Sequence, residues 1–192
     1  MRSALWEILE TIILALALFW GVQMVAERFR VVGSSMEPSL KEGEYLLVNK
    51  AVYFQLPSPI SPNLSLPFSP FHPPKRGDIV VLRSPQNPSG PFNIKRIIGL
   101  PGEVVEVKDG KVDINGEPLD EPFVREATRY TAPPTTVPPD YYYVLGDNRN
   151  NSIDSHVWGL VPRQNIVGKA WVTYWPADKW GLAPNYAFAR GN

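Results

Sequence analysis

A serine hydroxyl and a lysine amine are the groups in this 192-residue chain from which nucleophilic chemistry could be built. There is no cysteine, which excludes disulfides, thiolate catalysis and cysteine-ligated zinc. The two histidines, His72 and His156, are too few and too far apart in sequence to suggest a metal site, so neither a metal nor a cofactor is expected. Nineteen basic residues balance nineteen acidic ones, leaving no basic excess of the kind a nucleic-acid partner would require. A serine hydroxyl is a poor nucleophile at neutral pH and needs a neighbour to accept its proton. Lysine can do this only when neutral, so its reference pKa near ~10.4 must fall, and burial among apolar groups away from carboxylates achieves that. Lys95 has Ile94 before it, Arg96 beside it and Ile97 beyond, a local setting of apolar or positive residues. Asp154 and His156, two apart, would share one face of a strand and could pair. A Ser-His-Asp set is therefore the alternative base system, although nothing in the sequence brings His156 to a serine.

Four segments carry these groups: Gly33-Ser34-Ser35-Met36-Glu37-Pro38-Ser39-Leu40, Arg76-Gly77-Asp78-Ile79-Val80-Val81, Lys95-Arg96-Ile97-Ile98-Gly99-Leu100-Pro101-Gly102, and Gly146-Asp147-Asn148-Arg149-Asn150-Asn151-Ser152-Ile153-Asp154-Ser155. Each alone reads as turn or strand chemistry. In this order, behind an apolar N-terminal stretch, they resemble the motif boxes of type I signal peptidases, the bacterial leader peptidase family with a Ser-Lys dyad. The form running from Asn151 to Gly159 is most similar to the cyanobacterial and thylakoid branch.

The resemblance implies a set of roles. Ser35, before Met-x-Pro, matches the nucleophile, whereas Ser34 and Ser39 do not and are expected to serve turns. Lys95 matches the general base, and Ser152 the serine whose hydroxyl orients it. Arg96 and Asp147 match a structural ion pair, Arg149 is expected to be structural, and Asp154 with its neighbour is expected to hold the wall of the site, with His156 as its partner. The Ser35 backbone N–H is the expected oxyanion donor. Some members add a serine two residues before the nucleophile; here that position is Gly33, so a backbone group or a water has to stand in. Phe29, Val31, Met36 and Ile94 match the walls of shallow pockets for small substrate side chains, and an extended substrate would add as a strand near Ile94.

Several elements must position these groups. Thr11 to Ala26 carries no charge and, extended back over Ile8 and Leu9, approaches the ~20 residues that cross a bilayer. Residues 1–28 are read as a retained membrane anchor, because Val25-Ala26-Glu27 makes a poor cleavage site. Residues 29–192 read as the catalytic domain, outside the cytoplasm. Short apolar runs at Tyr45–Val48, Asp78–Leu82, Tyr141–Leu145 and Ala170–Trp175 are of strand length, and Phe92–Ile98 alternates. Glu103–Lys108 and Lys111–Ile114 flank Asp109-Gly110, a hairpin turn signal. The fold class is all-β: a partly closed, barrel-like antiparallel body preceded by one transmembrane helix. Residues 103–139 are read as a small β insertion, in which TAPPTTVPPD is a linker. The proline-rich loop 55–74 carries Leu56, Ile60, Leu64, Leu66, Phe68 and Phe71; it is read either as a surface touching lipid or protein or as a strap over the core.

The expectation is thus a single-pass serine endopeptidase that removes signal peptides from exported preproteins after small-x-small motifs, with preprotein signal peptides and membrane lipid as partners. Ser35 lies nine residues past Ala26, so the nucleophile cannot be more than about 30 Å from the anchor's end. A self-cleaving Ser-Lys regulator is the rival enzyme, and a silent signal-peptide binder the rival outside catalysis.

Overall fold

The computed structural model describes residues 4–53 and 72–188. Most of the proline-rich loop 55–74 lies outside the described residues.

Helix α1, Ala4–Val25, runs 22 residues, about 33 Å at ~1.5 Å per residue. From Trp6 to Gln23 it is long and apolar enough to cross a membrane, and no residue of that span is buried by the rest of the chain. Strand β1, Ala26–Arg30, begins at the very next residue and pairs antiparallel with β2, Tyr45–Asn49. The last helical carbonyl, of Val25, accepts from the Lys50 N–H at 2.8 Å, which satisfies one of the acceptors a helix end leaves open. The helix therefore ends at residue 25, earlier than the boundary at 28 drawn from composition, because Glu27 and Arg28 sit opposite Val48 and Leu47 in the strand ladder.

The main sheet is antiparallel and curled, in the order β1, β2, β11 (Ile166–Trp175), β3 (Ile79–Arg83), β4 (Phe92–Gly99), β9 (Tyr141–Leu145), β10 (Val161–Pro162), with β12 (Gly181–Leu182) added to β11. A second sheet has the order β7 (Glu117–Pro118), β6 (Lys111–Ile114), β5 (Val104–Lys108), β8 (Ala132–Thr136). Asp109 and Gly110 join β5 to β6 with φ of 49° and 80°, the positive values that this two-residue turn demands.

Strand β8 corrects the reading of residues 131–140, TAPPTTVPPD, as linker. Its prolines fit a strand that pairs only with β5, since an edge strand has one side on which a missing N–H costs nothing. The remaining strand expectations hold within a few residues; β11 starts four residues earlier than expected, at Ile166.

Strand β4 ties the core together. Its Ile94 packs on the cluster of Val31, Met36, Leu40 and Val81, its Ile97 on that of Val80, Tyr142 and Val144, and its Ile98 on that of Val105, Tyr143 and Leu145. The lysine between these isoleucines is held wherever the core holds the strand.

Candidate active site

Residues Val31 to Gly43 form a turn off the end of β1, closed by the Val31 N–H on Glu44 O (2.8 Å) and the Gly43 N–H on Val31 O (3.0 Å). Met36 and Leu40, each 1% exposed, anchor this turn in the core, and the Leu40 N–H donates to Met36 O. Ser34 and Ser35 are left at its rim. The loop after β9 fixes them from the other side: the Asn148 N–H donates to Ser35 O at 3.0 Å, Asn148 Nδ2 to Ser34 O at 3.2 Å, and Asn151 Nδ2 to Ser34 Oγ at 2.7 Å. Gly33 has φ +78°, which places the entry to the turn in the left-handed region where a side chain is disfavoured.

Lys95 lies on β4 opposite Val80 of β3 and is 3% exposed. Its Nζ stands 2.8 Å from Ser35 Oγ, across sixty positions of sequence. Burial pushes the Lys95 pKa below its ordinary value, because desolvation penalises the ammonium; Asp154 and then Asp147 act in the opposite sense and recover part of the shift. The sequence reading expected no carboxylate near this lysine. Two are close enough to be felt, but each is occupied by another partner.

Asp147 is bound by Arg96, Nε to Oδ1 at 2.8 Å and Nη2 to Oδ2 at 2.7 Å, and both side chains are fully buried. Asp154 accepts from the Gly146 N–H through Oδ2 at 2.9 Å and lies 2.7 Å from His156 Nδ1 through Oδ1. His156 is therefore paired with Asp154, and its ring stacks on Tyr130 at 3.8 Å rather than approaching Ser35. The Ser-His-Asp alternative is not assembled. Arg149 is buried, donating through Nε to Gly146 O at 3.0 Å and through its other nitrogens to Glu121. Ser39 Oγ accepts from Arg96 Nη2 at 3.2 Å, away from Lys95.

Ser152 departs from expectation. Its Oγ is buried and has no hydrogen-bond partner among the described residues, so the expected bond to Lys95 is not formed. The hydroxyl lies against the Gly146 backbone, where a Cβ on residue 146 would stand 2.3 Å from it. It nevertheless lines the same cleft as Ser35 and Lys95.

That cleft has a volume of about 520 Å³ and is walled further by Val32, Gly33, Ser34, Asn93, Asn151 and Ile153. The pocket residues inferred from resemblance meet in one core cluster. Val31 and Met36 are 2% and 1% exposed within the core cluster, and Phe29 and Ile94 pack on that cluster. Alternation along the chain turns Val31 inward and its neighbour Val32 outward. Val32 and Ile153, 78% and 67% exposed, are the apolar side chains the cleft presents to solvent.

Sequence reasoning missed Asn148, Asn151, Glu121 and Tyr130 as supports of the site. Asn148 and Asn151 lie inside a segment already singled out, so their side chains could have been weighed as clamps. Glu121 and Tyr130 have no local signal. The aspartate of the Arg76–Val81 segment is structural, with Asp78 accepting from Tyr53 Oη at 2.8 Å and Lys169 Nζ at 2.6 Å. Among the described residues no group of three or more acidic, histidine or cysteine side chains could hold a metal.

Residues 5–175 match the family described as signal peptidase, peptidase S26. The signal peptidase I of Leptolyngbya laminosa is 44% identical over 186 residues, covering 93% of this chain and 84% of that protein. The probable signal peptidase I-1 of Synechocystis sp. is 40% identical over 170 residues, covering 85% and 79%. The chloroplastic thylakoidal processing peptidase 1 of Arabidopsis thaliana is 37% identical over 164 residues, covering 81% of this chain and 44% of that protein. These similarities agree with the branch indicated by Asn151 to Gly159. The family match spans every segment that builds the cleft, and the chain belongs to the signal peptidase family, peptidase S26, whose members are serine endopeptidases.

Proposed function

We propose that this chain is a membrane-anchored endopeptidase that cuts signal peptides from exported preproteins, with Ser35 as nucleophile and Lys95 as general base. The observation that carries the reading is the 2.8 Å contact between Lys95 Nζ and Ser35 Oγ, with the lysine buried and its pKa depressed. A neutral amine in that position accepts the Ser35 proton as Oγ attacks the scissile carbonyl carbon. The tetrahedral oxyanion is met by the Ser35 N–H, which makes no hydrogen bond among the described residues. The Lys95 ammonium then protonates the leaving amine, which departs as the new N-terminus. A water, deprotonated by Lys95, attacks the acyl-enzyme, releasing the signal peptide carboxylate and restoring Ser35. Ser152 orients Lys95 once substrate closes the cleft, its unsatisfied hydroxyl turning to the amine. Arg96, Asp147, Arg149 and Asp154 shape the site and take no proton.

An open strand edge supports the substrate geometry. Strand β4 pairs with β3 from Phe92 to Arg96, but β9 joins its other side only from Arg96 onward. Backbone groups at Asn93 and Ile94 can therefore receive an extended peptide as an added strand, with small side chains at alternate positions toward Phe29, Val31, Met36 and Ile94. The apolar α1 supports an anchor that, in this reading, holds the catalytic body on the extracytoplasmic side of the membrane, where a preprotein's apolar segment is also held; sharing the bilayer raises effective concentration.

Cleavage of a preprotein carrying a small-x-small site, by wild type, Ser35→Ala and Lys95→Ala in proteoliposomes, tests the reading. Wild type is expected to cut and both variants to be inactive. Equal cleavage by all three would sink the assignment, and inactivity of the wild type would favour a silent binder.

A further inference from the structure

We propose that residues 121–130, in the connection between β7 and β8 of the second sheet, are a positioning strap for the catalytic loop, and that Glu121 and Tyr130 are its two working residues. The inference rests on the Ser35–Lys95 reading above.

Gly146 is the pivot. Its backbone lies against Ser152 Oγ and Ser35 O so closely that a Cβ there would stand 2.3 and 2.5 Å from them. Whatever fixes Gly146 therefore fixes both serines relative to Lys95. Its carbonyl is held by Arg149 Nε at 3.0 Å, and the rest of that guanidinium is held by the Glu121 carboxylate. Its N–H is held by Asp154 Oδ2 at 2.9 Å; the other oxygen of Asp154 is held by His156, and the His156 ring is stacked on Tyr130. Each backbone group of one glycine is thus gripped by a side chain that a strap residue backs.

Two further contacts run the same way. The Phe123 ring lies 4.1 Å from the Arg96 guanidinium carbon. Asn150 accepts from the Arg129 N–H at 2.8 Å and donates to Ala127 O at 3.0 Å. Five strap residues thereby meet four residues in or paired to the catalytic loop, a density that ordinary connection between two sheets does not need.

Glu121 and Arg149 have side chains 8% and 1% exposed, so a lost carboxylate leaves a buried guanidinium that must turn to Asp147 or to water. Either movement opens the loop that screens Lys95. The charged groups bearing on that lysine are Asp154 and Asp147, with their partners His156 and Arg96; those bearing on Arg149 are Glu121, Asp147 and the Tyr130 hydroxyl. None is supplied by the outer part of the strap, where Glu126 and Arg129 form an exposed pair.

The test uses the full chain in proteoliposomes, with Glu121→Gln, Tyr130→Leu and the control Glu126→Ala. Glu121→Gln and Tyr130→Leu are expected to lower kcat by about tenfold or more with KM little changed, since small misplacements of reacting groups are costly. Both are also expected to move the acid limb of the pH–rate profile upward as water reaches Lys95. Glu126→Ala should match wild type, and Glu121→Asp should recover part of the loss. Because Tyr130→Leu exposes no buried charge, it keeps the test open if Glu121→Gln folds poorly. Wild-type kcat and an unmoved profile in both variants, with Ser35→Ala inactive, would overturn the strap alone. A lower kcat with an unmoved profile and a reduced Tm would mark a purely structural role and overturn it too. Cleavage by Ser35→Ala would instead bring down the underlying reading.

Discussion

Arg96 and Asp147 form a two-pronged ion pair, at 2.8 and 2.7 Å, with neither side chain reaching solvent. The pair joins β4, one residue past Lys95, to the loop that carries Ser152. Arg96 Nη1 also donates to Gly77 O (2.8 Å) and Pro184 O (3.1 Å), so one guanidinium connects four parts of the chain. Removing one member of a buried pair leaves the other charged and unsolvated. Asp147→Ala is expected to cost about 3–5 kcal/mol of stability, read as a lower urea midpoint. A midpoint unchanged from wild type would show that the pair is dispensable.

The Lys95 pKa gives a pH dependence with a definite sign. In the proposed mechanism only the neutral amine accepts the Ser35 proton, so kcat/KM should rise with pH around a midpoint below the 10.5 of an unperturbed lysine. The same depression links to stability. The folded state releases this proton at lower pH than the unfolded state, so stability gains as pH climbs from the folded pKa to the unfolded one. Below the folded pKa the full desolvation cost is present. Lys95→Met should therefore raise Tm at neutral pH, with the advantage shrinking as pH approaches 10.5. A Tm difference independent of pH would contradict the cost assigned to the buried amine.

Gly146→Ala tests how closely the catalytic loop is fitted. Its Cβ would stand 2.5 Å from Ser35 O, a backbone atom that cannot swing aside. Overpacking of this kind costs about 1–3 kcal/mol, and cleavage should fall by more than the stability loss explains. Retention of wild-type kcat by a folded Gly146→Ala enzyme would show that the serines can shift without penalty.

Val32 and Ile153 are exposed on the cleft, and neither is needed to complete the core. If they receive apolar parts of the substrate, Val32→Asn and Ile153→Asn should raise KM several-fold while leaving kcat and Tm near wild type. Equal KM values for both variants and wild type would assign substrate contact elsewhere.

The Ser35–Lys95 contact was legible because both residues lie in segments that resemble the family's motif boxes, the turn before Met36 and an alternating strand. So were the strands whose apolar runs are uninterrupted, and the Asp109-Gly110 turn. Strand β8 was hidden because Pro133 and Pro134 argue against a ladder, and only the partner on one side shows why they are tolerated. Val32 was not singled out because a turn decides which neighbour reaches the cleft rim, and a one-residue choice of face is invisible without the Val31–Glu44 hydrogen bond. Glu121 was unreadable for a different reason. It is 28 positions from Arg149, and nothing in either neighbourhood announces the other.

Helix α1 passes into β1 with no intervening linker, and the Val25 carbonyl is tied to the Lys50 N–H beyond β2. Five strand residues at ~3.3 Å each then set roughly 16 Å of stiff spacing before the turn that carries Ser35. In the proposed setting this works as a gauge: the blade is mounted at a constant height above the lipid and cannot lean toward a bond lying nearer or farther. A flexible Gly-Ser insertion between Val25 and Ala26 should broaden the range of spacer lengths accepted between a preprotein's apolar segment and its cut, measured with a graded substrate series. An unaltered range would place the gauge elsewhere. Selectivity by reach, added to selectivity by side chain, would let shallow pockets for small residues suffice without exposing every small-x-small stretch of a secreted chain to the nucleophile.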